Sequence, residues 1–286
     1  MTIGDVADLR ECYLSCLRRA LIGVAPEYPY RLVPAPPEHS ELFSKLRKRG
    51  LELVTRRPAR WDLREAGGGW PVTGQTMIGE RRLTQLQDAV ETVIAEDVEG
   101  DLIETGVWRG GATIMMRAVL QAHGVADRRV CVADSFQGLP APDPDRFAAD
   151  AVDPERMTPA VDAELRANSA LCVGLDEVRA NFASYGLLDD QVEFLPGWFR
   201  DTLPAVAGRR WAIVRLDGDM YESTIQGLEH LYPSLSPGGY LIVDDLALPP
   251  CRKAVEDYRA ANSISEPIEM IDHTGGFWRK PAARLP

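Results

Sequence analysis

Six carboxylates stand at the carboxyl ends of short apolar runs in this chain: Glu104 in DLIETG, Asp134 in RVCVADS, Asp217 and Asp219 in WAIVRLDGD, and Asp244 with Asp245 in GYLIVDD. An acid that ends a strand faces whatever ligand the sheet binds. If the last four meet at one edge they repel one another, and a hard divalent ion such as magnesium relieves that repulsion while keeping places for waters and substrate oxygens. Solvated acidic strand ends without a metal are the alternative. Glu104 stands two positions before Gly106, where a nicotinamide fingerprint has glycine, and its charge suits the ammonium of an amino-acid ligand better than a pyrophosphate. Asp134 can accept both hydroxyls of a ribose, in a dinucleotide or another nucleoside cofactor.

The residues around these acids favour close approach of a ligand. Gly106, Gly110 and Gly111 in ETGVWRGG bring the backbone near and open a helix whose N-terminal amides favour an anion. Gly197 and Trp198 in FLPGWFRDTLP supply a backbone turn and a large ring beside the expected adenine position, although Trp198 suits a plain core role equally.

The elements that must position these groups follow from periodicity. The five acid-ended or glycine-ended runs, starting at residues 101, 129, 191, 211 and 239, are β-branched and strand-like, and helical patterns cover 112–123, 175–185 and 223–232 between them. Strands separated by helices imply right-handed crossovers and an α/β, doubly wound, mostly parallel sheet. The connection at about 141–170, with PAPDPD and several acids, is long enough to be a mobile lid on the ligand side or an exposed linker.

Residues 1–75 read differently. Helical spacing over 9–22, a Pro-rich stretch over 26–37 and a second helix near 42–54 describe a helical arm that packs on the core or a neighbouring subunit, or walls the substrate pocket. The hydroxyl of Thr76 is placed to cap a helix starting TMIGERRLTQLQDAVETVIAE, so the α/β domain is expected over 76–286. The chain has 286 residues, 45% hydrophobic and 26% charged, which suffices for a large core. Its net charge of -11 argues against a broadly basic nucleic-acid surface. Five scattered cysteines without a CxxC pair, no signal-peptide pattern and no membrane-length apolar run lead to the expectation of a soluble cytoplasmic protein with reduced thiols.

Taken together, TMIGE, DLIETGVWRGGATI, VADSFQGLP, RLDGDMYEST and LSPGGYLIVDD resemble the macrocin O-methyltransferase family, sugar methyltransferases of antibiotic biosynthesis, over residues 76–280. The resemblance implies a class I methyltransferase, Rossmann-like fold, S-adenosylmethionine as cofactor, a magnesium site, and methylation of a deoxysugar hydroxyl on a glycosylated natural product such as a macrolide. It puts Asp217, Asp244 and Asp245 on metal-ligand positions. Thr76, Met77, Glu104, Thr105, Gly106, Asp134, Ser135, Gly197 and Trp198 fall on cofactor-binding segments, with Asp217 counted beside them. A homo-oligomer, dimer or larger, is expected, with no nucleic acid or membrane partner.

Metal-dependent catechol methyltransferases carry a lysine three residues after the first metal aspartate, and here that position is Met220. The base must therefore come from elsewhere. Asp217 is preferred, because the resemblance sets it beside metal and hydroxyl, and His273 in IDHTGGFWRK, at the end of a late strand, is the runner-up. Two other functions use the same architecture: a nicotinamide-dependent oxidoreductase, disfavoured by Glu104 and the missing GxGxxG, and a non-catalytic nucleoside-binding scaffold, disfavoured by the acidic quartet.

Overall fold

Alternating apolar runs and amphipathic stretches leave each strand with a helix to cover it. The computed structural model describes residues 5–24, 30–34, 41, 45–46, 48–51, 54–58, 61–68, 71, 73–151 and 171–281. The chain divides into two compact units, residues 1–83 and 84–286.

In the first unit, helix α1 (Val6–Leu21) buries Leu14, Leu17 and Leu21, and the Asp5 carboxylate caps it by accepting from the amides of Ala7 and Asp8. Strands β1 (Tyr30–Pro34) and β2 (Val54–Pro58) pair antiparallel. The helix expected to reach residue 54 therefore stops short: Gly50, at φ +69°, lies in a turn, and the chain re-enters as a strand at Val54. The short helix α2 (Trp61–Glu65) presents Arg64, which is buried and collects the carbonyls of Ile22, Thr76, Met77 and Ile78 at 2.8–3.1 Å. Helix α3 (Glu80–Ala95) consequently starts four residues later than expected. The carbonyls of Thr76 to Ile78 are held by Arg64, and the Thr76 hydroxyl accepts from the Ile78 amide at 3.3 Å in place of capping the helix.

In the second unit, β3 (Asp101–Thr105), β4 (Val130–Asp134), β5 (Val192–Pro196), β6 (Trp211–Leu216) and β7 (Leu235–Val243) run parallel, in the order β5-β4-β3-β6-β7. A short antiparallel pair, β8 (Glu269–Met270) and β9 (Gly276–Arg279), completes the edge, with β9 next to β7. Helices α4 (Gly111–Ala122), α5 (Leu175–Ser184), α6 (Phe199–Thr202), α7 (Tyr221–Leu231) and α8 (Pro249–Ala261) connect the strands. The sheet leaves β3 toward β4 on one side and toward β6 on the other, so the crevice above the β3–β6 junction is the topological switch point where ligands bind. Every residue of β6 is buried, as in a strand covered on both faces.

Residues 152–170 of the expected lid lie outside the described residues. The start of that insertion is fastened: both Asp150 carboxylate oxygens accept backbone amides of α7, from Tyr221 at 2.7 Å and Glu222 at 2.9 Å. Among the described residues, no helix is long and apolar enough to cross a membrane.

Candidate active site

Three backbone links bring the strand ends of the second unit together. The Gly106 amide donates to Ala133 O, the Asp217 amide to Thr105 O and the Asp244 amide to Leu216 O, each at 2.9 Å. Gly106 has φ +84°, and a Cβ on it would lie 1.7 Å from the Asp217 carbonyl oxygen, so only glycine permits this contact between the β3 and β6 turns. One oxygen from each of Asp217, Asp244 and Asp245 then falls within 4.8 Å of the others. Such an all-carboxylate donor set fits a hard divalent cation. Asp219 sits alongside at φ +59°, its amide donating to Asp245 at 3.2 Å.

The repulsion expected among these acids is met in part by a residue the sequence pattern did not single out. Arg215, two residues before Asp217 on the same face of β6, directs its Nη1 to Glu104 and, at 2.7 Å, to Asp217, and its Nη2 to Asp244. A charge in the middle of WAIVRLDGD was the available signal, because a buried arginine must be paired. Burial nevertheless dominates over Arg215, raising Glu104 to about 8 and Asp217 to about 7. Burial also raises Asp219 to about 6 and, with the neighbouring carboxylates, lifts Asp245 well above the ordinary range. Five acids around one guanidinium leave the site short of positive charge. The Asp217 side chain keeps 29% of its surface open, which gives the cluster a route to solvent.

The nucleoside side is built on Asp134. Its Oδ2 accepts from the Val107 amide and its Oδ1 from the Phe136 amide, each at 2.7 Å, which fixes the carboxylate at the end of β4. Burial raises its pKa, opposed by these amides. The Ser135 hydroxyl donates to Gly138 O at 2.8 Å and accepts from the Gln137 amide at 3.0 Å. The Gly197 amide donates to Asp134 O at 2.9 Å, and the half-buried Trp198 opens α6 with its carbonyl accepting from Asp201 and Thr202. Thr76 and Met77 belong to the first unit, where their carbonyls face Arg64.

His273 is exposed in the turn between β8 and β9, not at a strand end. That turn braces the acids through its neighbour: the Thr274 hydroxyl donates to Asp244 O at 3.0 Å, and Thr274 O accepts from the Leu246 amide. Tyr221, two residues after Asp219, helps line an open cavity of about 360 Å³ with Arg146, Phe147, Arg200 and Ile225.

Most of the chain is similar to known proteins. The family described as Macrocin-O-methyltransferase (TylF) matches residues 10–280. The chain is 56% identical over 225 residues to the 8-demethyl-8-(2,3-dimethoxy-alpha-L-rhamnosyl)-tetracenomycin-C 4'-O-methyltransferase of Streptomyces olivaceus, covering 78% of this chain and 82% of that one. It is 47% identical over 231 residues to the mycinamicin III 3''-O-methyltransferase of Micromonospora griseorubida, covering 80% and 88%. The solved structure of the O-methyltransferase NovP superposes with a TM-score of 0.76 at 42% identity, covering 95% of this chain and 99% of that one. Neither the oxidoreductase nor the non-catalytic alternative gains support from these likenesses. A match over residues 10–280, with relatives 47–56% identical over 78–80% of the chain, makes this chain a member of the macrocin O-methyltransferase family.

Proposed function

We propose that the enzyme methylates a deoxysugar hydroxyl on a glycosylated natural product, with S-adenosylmethionine as methyl donor and magnesium held by Asp217, Asp244 and Asp245. The observation that carries this reading is the carboxylate cluster at the ends of β6 and β7, in a chain whose relatives are named for methylating a rhamnosyl-tetracenomycin and a mycinamicin. The cavity beside Tyr221 has the size of a drug-like scaffold and suits the remainder of such an acceptor.

The cofactor supplies an electrophilic methyl group on a sulfonium when bound, and magnesium supplies Lewis acidity toward a sugar hydroxyl. The chain's own residues do the rest. Glu104 would receive the cofactor's ammonium: its Oε2 is buried without a hydrogen-bond partner among the described residues, an orphaned acceptor that a donor from the ligand would satisfy. Asp134, held by the amides of Val107, Trp108 and Phe136 at the end of β4, would receive the ribose hydroxyls. Ser135, Gly197 and Trp198 would shape the nucleoside cleft. Alignment of methyl and hydroxyl supplies about 7 to 11 kcal/mol of barrier reduction.

Asp217 takes the hydroxyl proton in this reading, since it belongs to the metal cluster and its side chain is part-exposed. One observation favours a second assignment. Arg215 already donates to Asp217, whereas the Asp219 carboxylate, at about 6, has no hydrogen-bond donor among the described residues. Asp219 is therefore the alternative base, leaving Asp217 as ligand alone. A homo-oligomer is the companion proposal, supported by the exposed apolar residues Val6, Leu9 and Tyr13 along α1.

Mass spectrometry of glycosylated natural products incubated with enzyme and S-adenosylmethionine, with and without magnesium, tests this function. One added methyl on a sugar fragment, abolished by chelation, is expected. Methylation on the scaffold alone overturns the sugar assignment, and full activity in chelator overturns the metal.

A further inference from the structure

Three acids of the crevice share one partner, Arg215. Arg215 is 2% exposed, and its guanidinium touches acids from three strands: Glu104 of β3, Asp217 just beyond β6 and Asp244 just beyond β7. It stands opposite Glu104 and Ile242 in the two parallel ladders, so the backbone register itself aims the side chain into the cluster. A guanidinium keeps its charge when buried and presents donors in a rigid planar fork, which lets one residue fix several carboxylates at set angles. Asp245 is bound differently, accepting from the Asp219 amide at 3.2 Å.

We propose that Arg215 is a positioning residue, a standing counter-cation that holds Glu104, Asp217 and Asp244 in place before any divalent ion arrives and ties the metal ligands to the cofactor-facing acid. The inference rests on the metal reading above. One oxygen of Asp217 and one of Asp244 are committed to the fork, so an incoming ion meets ligands already ordered. The same charge that organises them opposes the ion, so Arg215 trades tightness of metal binding for a site that is formed without metal. Removing Arg215 leaves its acids buried without their counter-charge, a change that falls most heavily on the metal-free state.

The test uses the full chain with Arg215→Gln and Arg215→Lys, followed by thermal unfolding with magnesium or with chelator and by magnesium calorimetry. Because a ligand stabilises the state it binds, Arg215→Gln should show a magnesium-induced rise in Tm at least about twice that of the wild type, from a lower metal-free starting point. Arg215→Lys, which keeps the charge and loses the fork, should fall between the two. A purely structural arginine would lower Tm equally with and without magnesium, and equal magnesium-induced rises in wild type and Arg215→Gln overturn the proposal. If Arg215→Gln fails to fold even with magnesium, Arg215→Lys carries the comparison, and a rise equal to the wild type overturns it in the same way. Absence of magnesium binding to the wild type would instead overturn the metal reading and this inference with it.

Discussion

Arg215 on β6 stands opposite Glu104 on β3 in the parallel ladder, and its Nη1 donates to the Glu104 carboxylate. The pair spans the switch point of the sheet, joining the end of β3 to Asp217 and Asp244 at the ends of β6 and β7. A change at either residue is therefore felt on both sides of that junction.

Glu104→Gln should weaken binding of S-adenosylhomocysteine about 10- to 150-fold, the loss of one charge-assisted hydrogen bond of about 1.5 to 3 kcal/mol. Asp217 and Asp244 still hold Arg215 in this variant, so the protein should fold. Calorimetry with the product cofactor reads the effect directly. Unchanged affinity would mean that Glu104 serves Arg215 and not the ligand.

The base and the metal separate by substitution. Asp244→Asn and Asp245→Asn should each lose activity that extra magnesium partly restores, because two carboxylates of the cluster survive. Asp217→Asn should resist rescue if Asp217 is the base, with a fall in kcat of about 100- to 10,000-fold. Asp219→Asn should show that fall instead, with magnesium binding intact, if Asp219 is the base. His273→Ala should retain most activity, as expected of an exposed turn residue.

The pH dependence of the metal-free enzyme follows from its raised acids. Free carboxylates titrate at about 4, whereas burial holds Asp219, Asp217 and Glu104 at about 6, 7 and 8 in the folded protein. The folded state binds extra protons in that interval, so the stabilising contribution is complete below pH ~4 and is lost as pH climbs through ~6 to ~8. Denaturant unfolding in chelator should thus show stability declining from pH 5 to pH 9, about the span of these titrations. Magnesium should release more protons on binding at pH 6 than at pH 9, which calorimetry in buffers of different ionisation enthalpy measures. Equal proton release at both values would contradict the raised pKa values.

Asp150→Ala removes the acceptor for two α7 amides and should lower stability by about 1 to 2 kcal/mol. Proteolysis within residues 141–170 should become faster in the variant. In the wild type it should slow when product cofactor and acceptor are both bound, if the insertion closes over them. Asp150→Asn keeps an acceptor and should lose less. Identical cleavage of all forms would mean that the cap does not restrain the insertion.

The central strands were legible because five apolar, β-branched runs, four ending in acids and one in glycine, have few other solutions, and all five lie in the sheet as parallel neighbours. The meeting of Asp217, Asp219, Asp244 and Asp245 was legible for the same reason, since strand ends in a doubly wound sheet converge at one edge, and the narrower set Asp217, Asp244 and Asp245 came from the family resemblance. Arg215 was not, because periodicity registers a buried charge as noise until its partners on other strands are known. The start of α3 was misjudged at Thr76 because the competing acceptor network belongs to Arg64, well upstream in sequence. Helix α8, with Pro249 and Pro250 in its first turn, and strand β2 were not singled out, the expected helix running up to Val54, and the β8–β9 hairpin was anticipated only as one late strand.

Among the described residues, Asp150 makes both hydrogen bonds that tie the insertion to α7, the helix that follows the Asp217–Asp219 segment, and Phe147 adds a ring contact with Tyr221. A segment of different length or composition could be grafted there, provided it returns one carboxylate to the amides of Tyr221 and Glu222. Such a graft would change the insertion and leave unaltered the strand ends that carry Glu104, Asp134, Asp217, Asp244 and Asp245.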